Sequence, residues 1–407
     1  MRLNARAARK AVRDLDRPIA ILAAIAFISQ VGVSIMLPLL PLFALQLGAT
    51  PRELGLMVSI FAVTNTVGQL GSGAMIARVS PRRQLPLGQA AYAAANLLIA
   101  TARAAAPLIA FRSLAGFGGG LSIIAERLYI ARVADRSRLA FTNGVVSAAG
   151  SSGSVLGPVV GGFLALSDLR IPFIVVGITA SLAAISAIAF LPAEPVTGSP
   201  AQGAGPEAPE RAGIGVRLRN PWAAMRPLGT LALWNLAFNA AFGGWITTFG
   251  PYAQDRLGLP VNQVALIFTM YGLGSILLGP WLSRRADLGG RRQMVAIGSA
   301  LVLGNVLTMI VQAPVPVVFG SAIFAGGGLA AAQASWFALL TLATDGGRRG
   351  RSFGLVTALS NLGIVAGATM ASEIWQQIGI DEALFVAAGF IVLAITSLRI
   401  VHDDRAA

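Results

Sequence analysis

The sequence predicts an all-α membrane protein in which twelve transmembrane helices form two six-helix bundles, with both termini in the cytoplasm. The composition, the number of long apolar stretches and the positions of the arginines predict this class. Of 407 residues, 55% are hydrophobic and only 12% are charged, and the mean hydropathy is +0.72. Soluble domains usually carry about 25% charged residues, so the composition indicates a membrane protein.

Twelve stretches of the chain are long and apolar enough to span a bilayer, for which about 20 mostly apolar residues are needed. Those of the first half cover residues 18–44, 53–77, 84–104, 107–131, 139–166 and 171–191. Those of the second half cover residues 227–250, 258–283, 293–313, 314–342, 352–376 and 383–401.

The basic residues lie mainly on one side of this predicted topology. With both termini inside, the outer loops hold only Arg52, Arg103, Arg170 and Arg256, whereas every inner loop is basic. This is the positive-inside distribution of a membrane protein. It explains the net charge of +14, and we therefore expect the lipid bilayer, and no nucleic acid, as a partner.

A Pro- and Gly-rich segment with several charges divides the chain near its middle and predicts a flexible cytoplasmic linker. The predicted units are a basic arm at 1–17, an N-terminal six-helix bundle at 18–192, the linker at 193–221, a C-terminal six-helix bundle at 222–401 and a tail at 402–407.

The two bundles look like repeats of each other. GAMIAR at 73–78 returns as GPWLSR at 279–284, and GSVLG at 153–157 returns as GIVAG at 363–367. Parallel repeats around a cavity at the bilayer midplane are typical of alternating-access transporters.

Several kinds of chemistry are excluded by residue type. The chain has no cysteine and a single histidine, His402 in the tail, which excludes thiolate or histidine metal sites and nucleophilic triads built on them. Lys10 is its only lysine and no G-x-x-x-x-G-K-[ST] pattern occurs, so the chain has no phosphate loop for ATP. We expect no metal, no cofactor and no enzymatic activity.

One apolar stretch carries a pattern of glycine and proline. Residues 144–162 read GVVSAAGSSGSVLGPVVGG and fit G-x8-G-x3-G-P-x2-G-G at all six fixed positions, which are Gly144, Gly153, Gly157, Pro158, Gly161 and Gly162. In the fourth stretch, Arg112 and Gly116 fit R-x-x-x-G. With these motifs the chain resembles the major facilitator superfamily over essentially its whole length, and within it the 12-helix drug:proton antiporter branch.

The resemblance implies the major facilitator fold, antiport and a proton gradient as the energy source. The loop after the second stretch resembles the family's cytoplasmic gate motif G-x-L-x-D-R-x-G-R-R through Gly73, Arg78, Arg82 and Arg83, and the second half echoes it with Gly279 and Arg284.

Four positions depart from the family pattern. Ala77 and Ser283 replace the aspartate of the two gate loops. Residues 129–132 read YIAR, so Arg132 replaces the aspartate of the family's usual YIAD. Ser29 stands where tetracycline-type exporters carry aspartate. Proton coupling through a carboxylate in the first helix is therefore not expected, because the aspartate that would carry it is absent.

Arg112 and Glu126 are the candidates for proton coupling, because an ionisable group within the hydrocarbon region is costly and usually functional. Arg112 would pair with a carboxylate, an anionic substrate or backbone carbonyls; the alternative is packing against uncapped carbonyls of neighbouring helices. A buried Glu126 could exchange protons near neutral pH; the alternative is an interfacial glutamate paired with Arg127 or Arg132.

Six residues are the candidates for contact with a substrate. Pairs of polar residues share a helical face, and the resemblance places spans one, four, seven and ten around the cavity. The candidates are Gln30, Ser34, Asn235, Asn239, Gln333 and Trp336. The alternative for each single residue is an ordinary hydrogen bond between helices, whereas for the set we expect at least two contacts with the substrate. Trp245 and Tyr271 could add aromatic surface, or belong to packing and interfacial belts.

Spacing of small residues predicts how the helices meet. Gly153, Gly157 and Gly161 recur every four residues and predict a close helix contact, which we expect between spans five and eight. We also expect breaks at the outer ends of spans one and seven, from Pro38 with Pro41 and from Gly243-Gly244 with Pro251.

The leading hypothesis from the sequence is a monomeric, multi-pass efflux antiporter of the inner membrane that exports a small amphipathic compound (a drug, antibiotic or metabolite) in exchange for protons. An importer, symporter or facilitator for a sugar, metabolite or siderophore stays open because of the missing aspartates. A receptor or scaffold is a third alternative, although it would need a large soluble interaction domain.

Overall fold

A computed structural model describes residues 17–76, 78–133, 139–192, 229–286, 290–343 and 349–398. Within them the chain forms fourteen α-helices. The first half contributes α1 (Arg17–Met36), α2 (Leu40–Gln46), α3 (Pro51–Met75), α4 (Pro81–Thr101), α5 (Ala105–Val133), α6 (Leu139–Leu164) and α7 (Ile171–Phe190). The second half contributes α8 (Gly229–Asp255), α9 (Val261–Leu277), α10 (Gly279–Arg285), α11 (Arg291–Ile310), α12 (Val315–Leu342), α13 (Arg349–Gln377) and α14 (Ile380–Ser397). The predicted linker and tail, the arm up to residue 16 and Ala77 lie outside the described residues.

Two of the twelve predicted stretches are broken into two helices. The first forms α1 and α2, with Pro38 in the turn between them and Pro41 in the first turn of α2, where a missing N–H costs no helical bond. The eighth forms α9 and α10, which meet at an angle of 46°. Pro280 lies in the first turn of α10.

The break predicted for span seven is wrong. Helix α8 continues from Gly229 to Asp255 through Gly243, Gly244 and Pro251. The hydroxyls of Thr247 and Thr248 donate to the carbonyl oxygens of the two glycines within the same helix. A β-carbon at Gly243 would collide with the backbone of Ile364 on α13, so the glycine provides a close helix contact rather than a hinge.

Eight of the described helices are long and apolar enough to cross a membrane, or nine if the bent pair α9 and α10 counts as one span. The long helices α4, α8 and α13 lack such an apolar window. The total of twelve spans and the side on which the termini lie stay predictions.

Buried polar side chains explain the lower hydropathy of α4. Gln84 is fully buried, accepts from Ser72 Oγ at 2.6 Å and donates to Val79 O at 2.7 Å. Gln89 donates to Ser29 Oγ at 3.0 Å. Bonded amides of this kind face other helices and not lipid, so hydropathy alone understates the helix.

The same order of helix neighbours occurs in both halves. In the first half, α1 contacts α6 and α7, α3 contacts α5, and α4 contacts α5 and α7. In the second half, α8 contacts α13 and α14, α9 contacts α12, and α11 contacts α12 and α14. Each contact has its counterpart six spans later, so the sequence repeats correspond to a repeated arrangement of helices.

The halves meet mainly through two contacts, α3 with α13 and α6 with α9. Each joins the second span of one half to the fifth span of the other. Both contacts lie within the described helices.

Candidate functional site

An uncharged cavity lies among the helices of the second half and is closed on one side by the turn between α1 and α2. It encloses about 650 Å³ of empty space, counting the part open at its mouth. The described residues that line it are Leu37, Phe238, Ala241, Phe242, Trp245, Phe268, Tyr271, Val302, Val306, Leu329 and Ile391, and none of them carries a charge. Mostly apolar walls with few polar groups are typical of small-molecule sites.

Trp245 is the centre of the aromatic wall of this cavity. Its ring centroid lies 4.6 Å from that of Phe249 in a stacked arrangement, 5.0 Å from Phe268 and 5.6 Å from Tyr271. Aromatic contacts at such distances add to packing beyond the buried area. The wall therefore presents rigid ring surface at the cavity.

A buried hydrogen-bond network fixes Tyr271 in this wall. Its hydroxyl donates to Asn305 Oδ1 at 2.7 Å, and Asn305 Nδ2 donates to Ser321 Oγ at 2.7 Å and to Val318 O at 3.2 Å. Asn305 is fully buried. Sequence reasoning missed Asn305, and only its place in an otherwise apolar helix could have singled it out.

The structure does not bring the six predicted substrate residues to this cavity. Asn235 donates to Ser360 Oγ at 2.7 Å and Asn239 donates to Asn235 O at 2.8 Å, so this pair ties α8 to α13. Gln30 donates to Ser34 Oγ at 3.3 Å.

The two candidates on α12 face in different directions. Trp336 is buried and its Nε1 donates to Leu231 O at 2.9 Å, whereas Gln333 is exposed. A substrate role for the six residues stays a prediction. Trp245 and Tyr271, considered at first only as aromatic surface, are the ones that line the cavity.

Arg112 is buried on α5 without a carboxylate beside it in the described part of the chain. Its Nη1 donates to Met36 Sδ at 3.2 Å, its guanidinium lies 4.1 Å from the ring centroid of Phe61, and its Nε has no partner there. A cation over an aromatic face is stabilised by the ring quadrupole. The guanidinium is thus held by soft neighbours and keeps donor capacity for another group.

Glu126 is half-buried on α5, about two turns before the helix ends at Val133. The other acidic residues of the described helices lie at or near a helix end; they are Glu53, Asp255, Glu373, Asp381 and Glu382. Of the carboxyls in the described helices, it is the one that lies farthest from a helix end.

The glycine stripe of α6 packs on α1, so the predicted partner, span eight, is wrong for Gly153, Gly157 and Gly161. β-Carbons at Gly153 and Gly157 would lie 2.6 Å from Phe27 O and from Val31 O, and one at Gly161 would lie 3.0 Å from Ile35 O. Span eight is approached by Gly162 alone of the motif glycines, at Asn262 and Ala265 on α9. The spacing of four marks one face of a helix, but not the helix that covers it.

The stripe has a counterpart in the second half. A β-carbon at Gly363 would collide with Leu236 O, and one at Gly367 with Ala240 O, both on α8. GIVAG thus packs on the first helix of its half as GSVLG does in the other.

The contacts between the halves are polar near one end of the bundle. We call this the outer end, following the topology predicted from the arginines. Arg52 donates to Glu373 through Nε at 2.7 Å and through Nη2 at 2.5 Å, and Gln377 also donates to Glu373. Deeper along the same contact, Ser59 Oγ lies 3.3 Å from Thr369 Oγ1 and Asn361 donates to Thr66 Oγ1 at 2.7 Å.

Toward the inner ends of the same helices, a β-carbon at Gly73 on α3 or at Gly144 on α6 would meet nothing within 4 Å. The described contacts between the halves therefore belong to the outer and middle parts of the bundle.

Reversing one charge of the Arg52–Glu373 pair is expected to loosen the outer end. Arg52→Glu should raise the exposure of the outer contact by about two- to fivefold, in line with the modest worth of exposed ion pairs, and the double swap with Glu373→Arg should restore it. Because the chain has no cysteine, Ser59→Cys gives a clean site for labelling by a membrane-impermeant maleimide. Equal labelling in all three backgrounds would show that the ion pair does not hold the contact.

The gate-motif residues occupy the inner end of the first half. Arg82 Nε donates to Leu191 O at 2.8 Å just after α7, which joins the loop before α4 to the end of the bundle. Arg78 and Arg83 are exposed. In the second half, Gly279 begins α10 and Arg284 lies in its last turn, beside Arg285, whose guanidinium is 4.1 Å from the ring of Trp281.

Two repeated bundles of long helices are an arrangement typical of membrane transporters. The sequence profile of the Major Facilitator Superfamily matches residues 22–260 and 237–407, so the chain belongs to that family. It is therefore a multi-pass membrane protein that transports a solute, and not an enzyme, and the family resemblance found in its motifs is confirmed.

Characterised relatives include drug-resistance proteins. The chain is 21% identical to "Multidrug resistance protein 2" of Bacillus subtilis over 305 residues, which is 74% of each chain. It is 27% identical to "Quinolone resistance protein NorA" of Staphylococcus aureus over 165 residues, 40% of this chain and 42% of the relative, so this second match covers less than half of NorA.

Solved structures confirm the fold. The nucleoside transporter NupG superimposes with a TM-score of 0.76 at 11% identity, covering 94% of this chain and 98% of NupG. The human organic anion transporter MFSD10 superimposes with a TM-score of 0.66 at 19% identity, covering 94% of this chain and 99% of the other.

Proposed function

We propose that this protein is a proton-coupled exporter of small amphipathic compounds in the plasma (inner) membrane, where it works as a monomer by alternating access and needs no cofactor. The uncharged aromatic cavity carries the proposal. Its lining of eleven mostly apolar residues suits a compound that partitions into lipid, and suits a sugar poorly, because a sugar needs many convergent hydrogen-bonding groups.

The arrangement of the halves supports alternating access. The Arg52–Glu373 pair and the hydrogen bonds below it hold the outer end together, whereas Gly73 on α3 and Gly144 on α6, toward the inner end, have no neighbour within 4 Å of a β-carbon. A conformer closed outside and looser inside is the one from which an exporter loads its substrate. The names of the two drug-resistance relatives favour the same direction of transport.

Proton coupling is assigned to Glu126 with Arg112 as a fixed positive charge. Glu126 is the carboxyl available within the described helices away from their ends, and Arg112 lies on the same helix with an unpartnered Nε. The position that carries aspartate in similar exporters is Ser29 here, which is not titratable and accepts a hydrogen bond from Gln89.

Inverted membrane vesicles energised by respiration test the function. We expect uphill accumulation of amphipathic dyes, from a panel that contains both neutral and cationic members, and release of the dye when a protonophore collapses the gradient. Vesicles without the protein are the control. Equilibration that ignores the gradient would instead support a facilitator, the second candidate that the missing aspartates keep open.

A further inference from the structure

Helix α10, the short helix beyond the bend in the eighth span, packs one of its faces against the bundle. A β-carbon at Gly279 would lie 3.1 Å from the side chain of Ala330 on α12. Leu282, three residues later, packs against the buried side chains of Ala286 and Met294. Because residues three and four apart share a face of a helix, this face holds α10 on α11 and α12.

The opposite face of α10 is exposed and carries an aromatic ring beside two cations. The exposed fraction of Trp281 is 54%, and Arg284 and Arg285 are exposed as well. Leu277, at the end of α9, is 67% exposed. From Leu277 onward the exposed surface therefore changes from aliphatic to aromatic to cationic. Acyl chain, glycerol backbone and phosphate follow one another in the same order in a phospholipid, and tryptophan is enriched at the level of the headgroups.

The ring of Trp281 fixes one of the two cations. The guanidinium of Arg285, four residues later, lies 4.1 Å from its ring centroid. A cation over an aromatic face is stabilised by the ring quadrupole. Stacking uses the flat face of the guanidinium, whereas its N–H groups point outward in the plane, in a fork that matches the oxygens of a phosphate. Arg285 is thus held at the surface by a contact that does not consume its hydrogen-bond donors.

Among the described residues of the second half, the carboxylates lie at the other end of the bundle. They are Asp255, Glu373, Asp381 and Glu382. The described part of this half therefore places no carboxylate beside the guanidinium groups of Arg284 and Arg285. Two adjacent cations at one surface attract an anionic group.

The equivalent end of the first half is built differently. In the repeat of GAMIAR by GPWLSR, Met75 stands at the position of Trp281, and Val79 at that of Arg285. Helix α3 also continues to Met75 without the bend that separates α9 from α10. The ring and the paired arginines therefore belong to the second half, and are not a general feature of the inner end.

We propose that the exposed face of α10 binds an anionic phospholipid of the inner leaflet. The phosphate lies between the guanidinium groups of Arg284 and Arg285, and an acyl chain runs along Trp281 and Leu277. The leaflet follows from the topology predicted from the arginines. The inference goes beyond the proposed function, since it concerns a lipid that stays bound and not a compound that is exported.

Lipids with brominated acyl chains test the proposal, because they quench the fluorescence of a tryptophan that they touch. The full-length protein is placed in nanodiscs of unbrominated phosphatidylcholine, and brominated phosphatidylglycerol or brominated phosphatidylcholine is added in increasing mole fraction. The difference between native protein and Trp281→Phe isolates the signal of Trp281. We expect the anionic lipid to associate at least about tenfold more strongly than the zwitterionic one, since each arginine near the surface contributes about fivefold.

Replacing both arginines by glutamine is expected to remove this preference. In Arg284→Gln with Arg285→Gln, the two lipids should quench Trp281 to within about twofold of each other, because both interact with the same apolar surface once the charges are gone. Quenching by brominated phosphatidylcholine reports that Trp281 still faces lipid, and thus that α10 keeps its place. Arg78→Gln with Arg83→Gln is the matched control, since it removes two exposed arginines from the inner end of the first half.

Equal quenching by the two lipids in the native protein would overturn the proposal, as would the absence of quenching by either. A control pair that loses the preference as fully as the α10 pair would show that net charge, and not this surface, selects the lipid. Inorganic phosphate in excess should leave the preference in place, because it lacks acyl chains; loss of the preference would indicate a site for a free anion instead. Since no gradient or transported compound is present, the outcome is independent of the proposed transport.

Discussion

Replacing Gly157 by leucine is expected to reduce proton-driven transport by more than about tenfold. A β-carbon there would lie 2.6 Å from Val31 O and 2.7 Å from Ser34 Cβ, so α6 and α1 must separate along a contact made of backbone. Overpacking of this kind costs about 1–3 kcal/mol when a few methylenes are added, and rigid backbone leaves little room for relief. The measurement is the initial rate of dye uptake in inverted vesicles, normalised to the amount of folded protein.

Gly150→Leu is the matched control for this prediction. Gly150 lies on the same helix, and a β-carbon there would meet nothing within 4 Å, so transport should stay within about twofold of the native rate, as is usual for surface substitutions. Native transport in Gly157→Leu would mean that the α1–α6 contact tolerates separation and that the glycine pattern is not a packing requirement.

Glu126→Gln is expected to abolish uphill accumulation while leaving substrate binding intact. Glutamine has the size of glutamate but cannot release a proton, and no other carboxyl of the described helices lies away from a helix end. The reason for the large effect is that coupling needs a titrating group and not only a polar one. Uptake of the dye in energised vesicles and its binding in nanodiscs are measured on the same preparation.

Glu53→Gln serves as the control for charge removal. Glu53 closes a capping box with Thr50 at the start of α3, a role that glutamine also fills, and it lies at the outer end. We expect its uptake to equal that of the native protein. Uphill accumulation by Glu126→Gln at the native rate would exclude Glu126 as the coupling group and point to another titrating residue.

Prolines, charges and repeats predicted most of the fold, because each acts locally and strongly. The fifth stretch was expected at 139–166 and α6 covers Leu139–Leu164; the break at Pro38 and Pro41 was also expected and is found. Pro251 shows the limit of this reasoning. A proline in a long apolar helix predicts a break, but close packing against α13 keeps α8 continuous.

The residues that line the cavity were harder to predict, because a helix in a bilayer has apolar surroundings on every side. In water, the polar face of a helix reveals which side is buried; in a bilayer both the lipid side and the protein side are apolar. Gln333 and Trp336, three residues apart on α12, illustrate this, since one is exposed and the other is packed on α8. Sequence spacing also could not say that the glycines of α6 face α1, because a stripe of small residues fits any helix that comes close.

The two contacts between the halves have a consequence for how such a chain could arise. Helix α3 meets α13 and α6 meets α9, so the second span of each half pairs with the fifth span of the other. Between two identical six-helix units, this would be a single self-complementary interface related by a two-fold axis. When the units are joined in one polypeptide, their association no longer depends on their concentration in the membrane but on the length of the connection. Each copy is then free to specialise, and here one half has a buried Arg112 and the other an aromatic cavity.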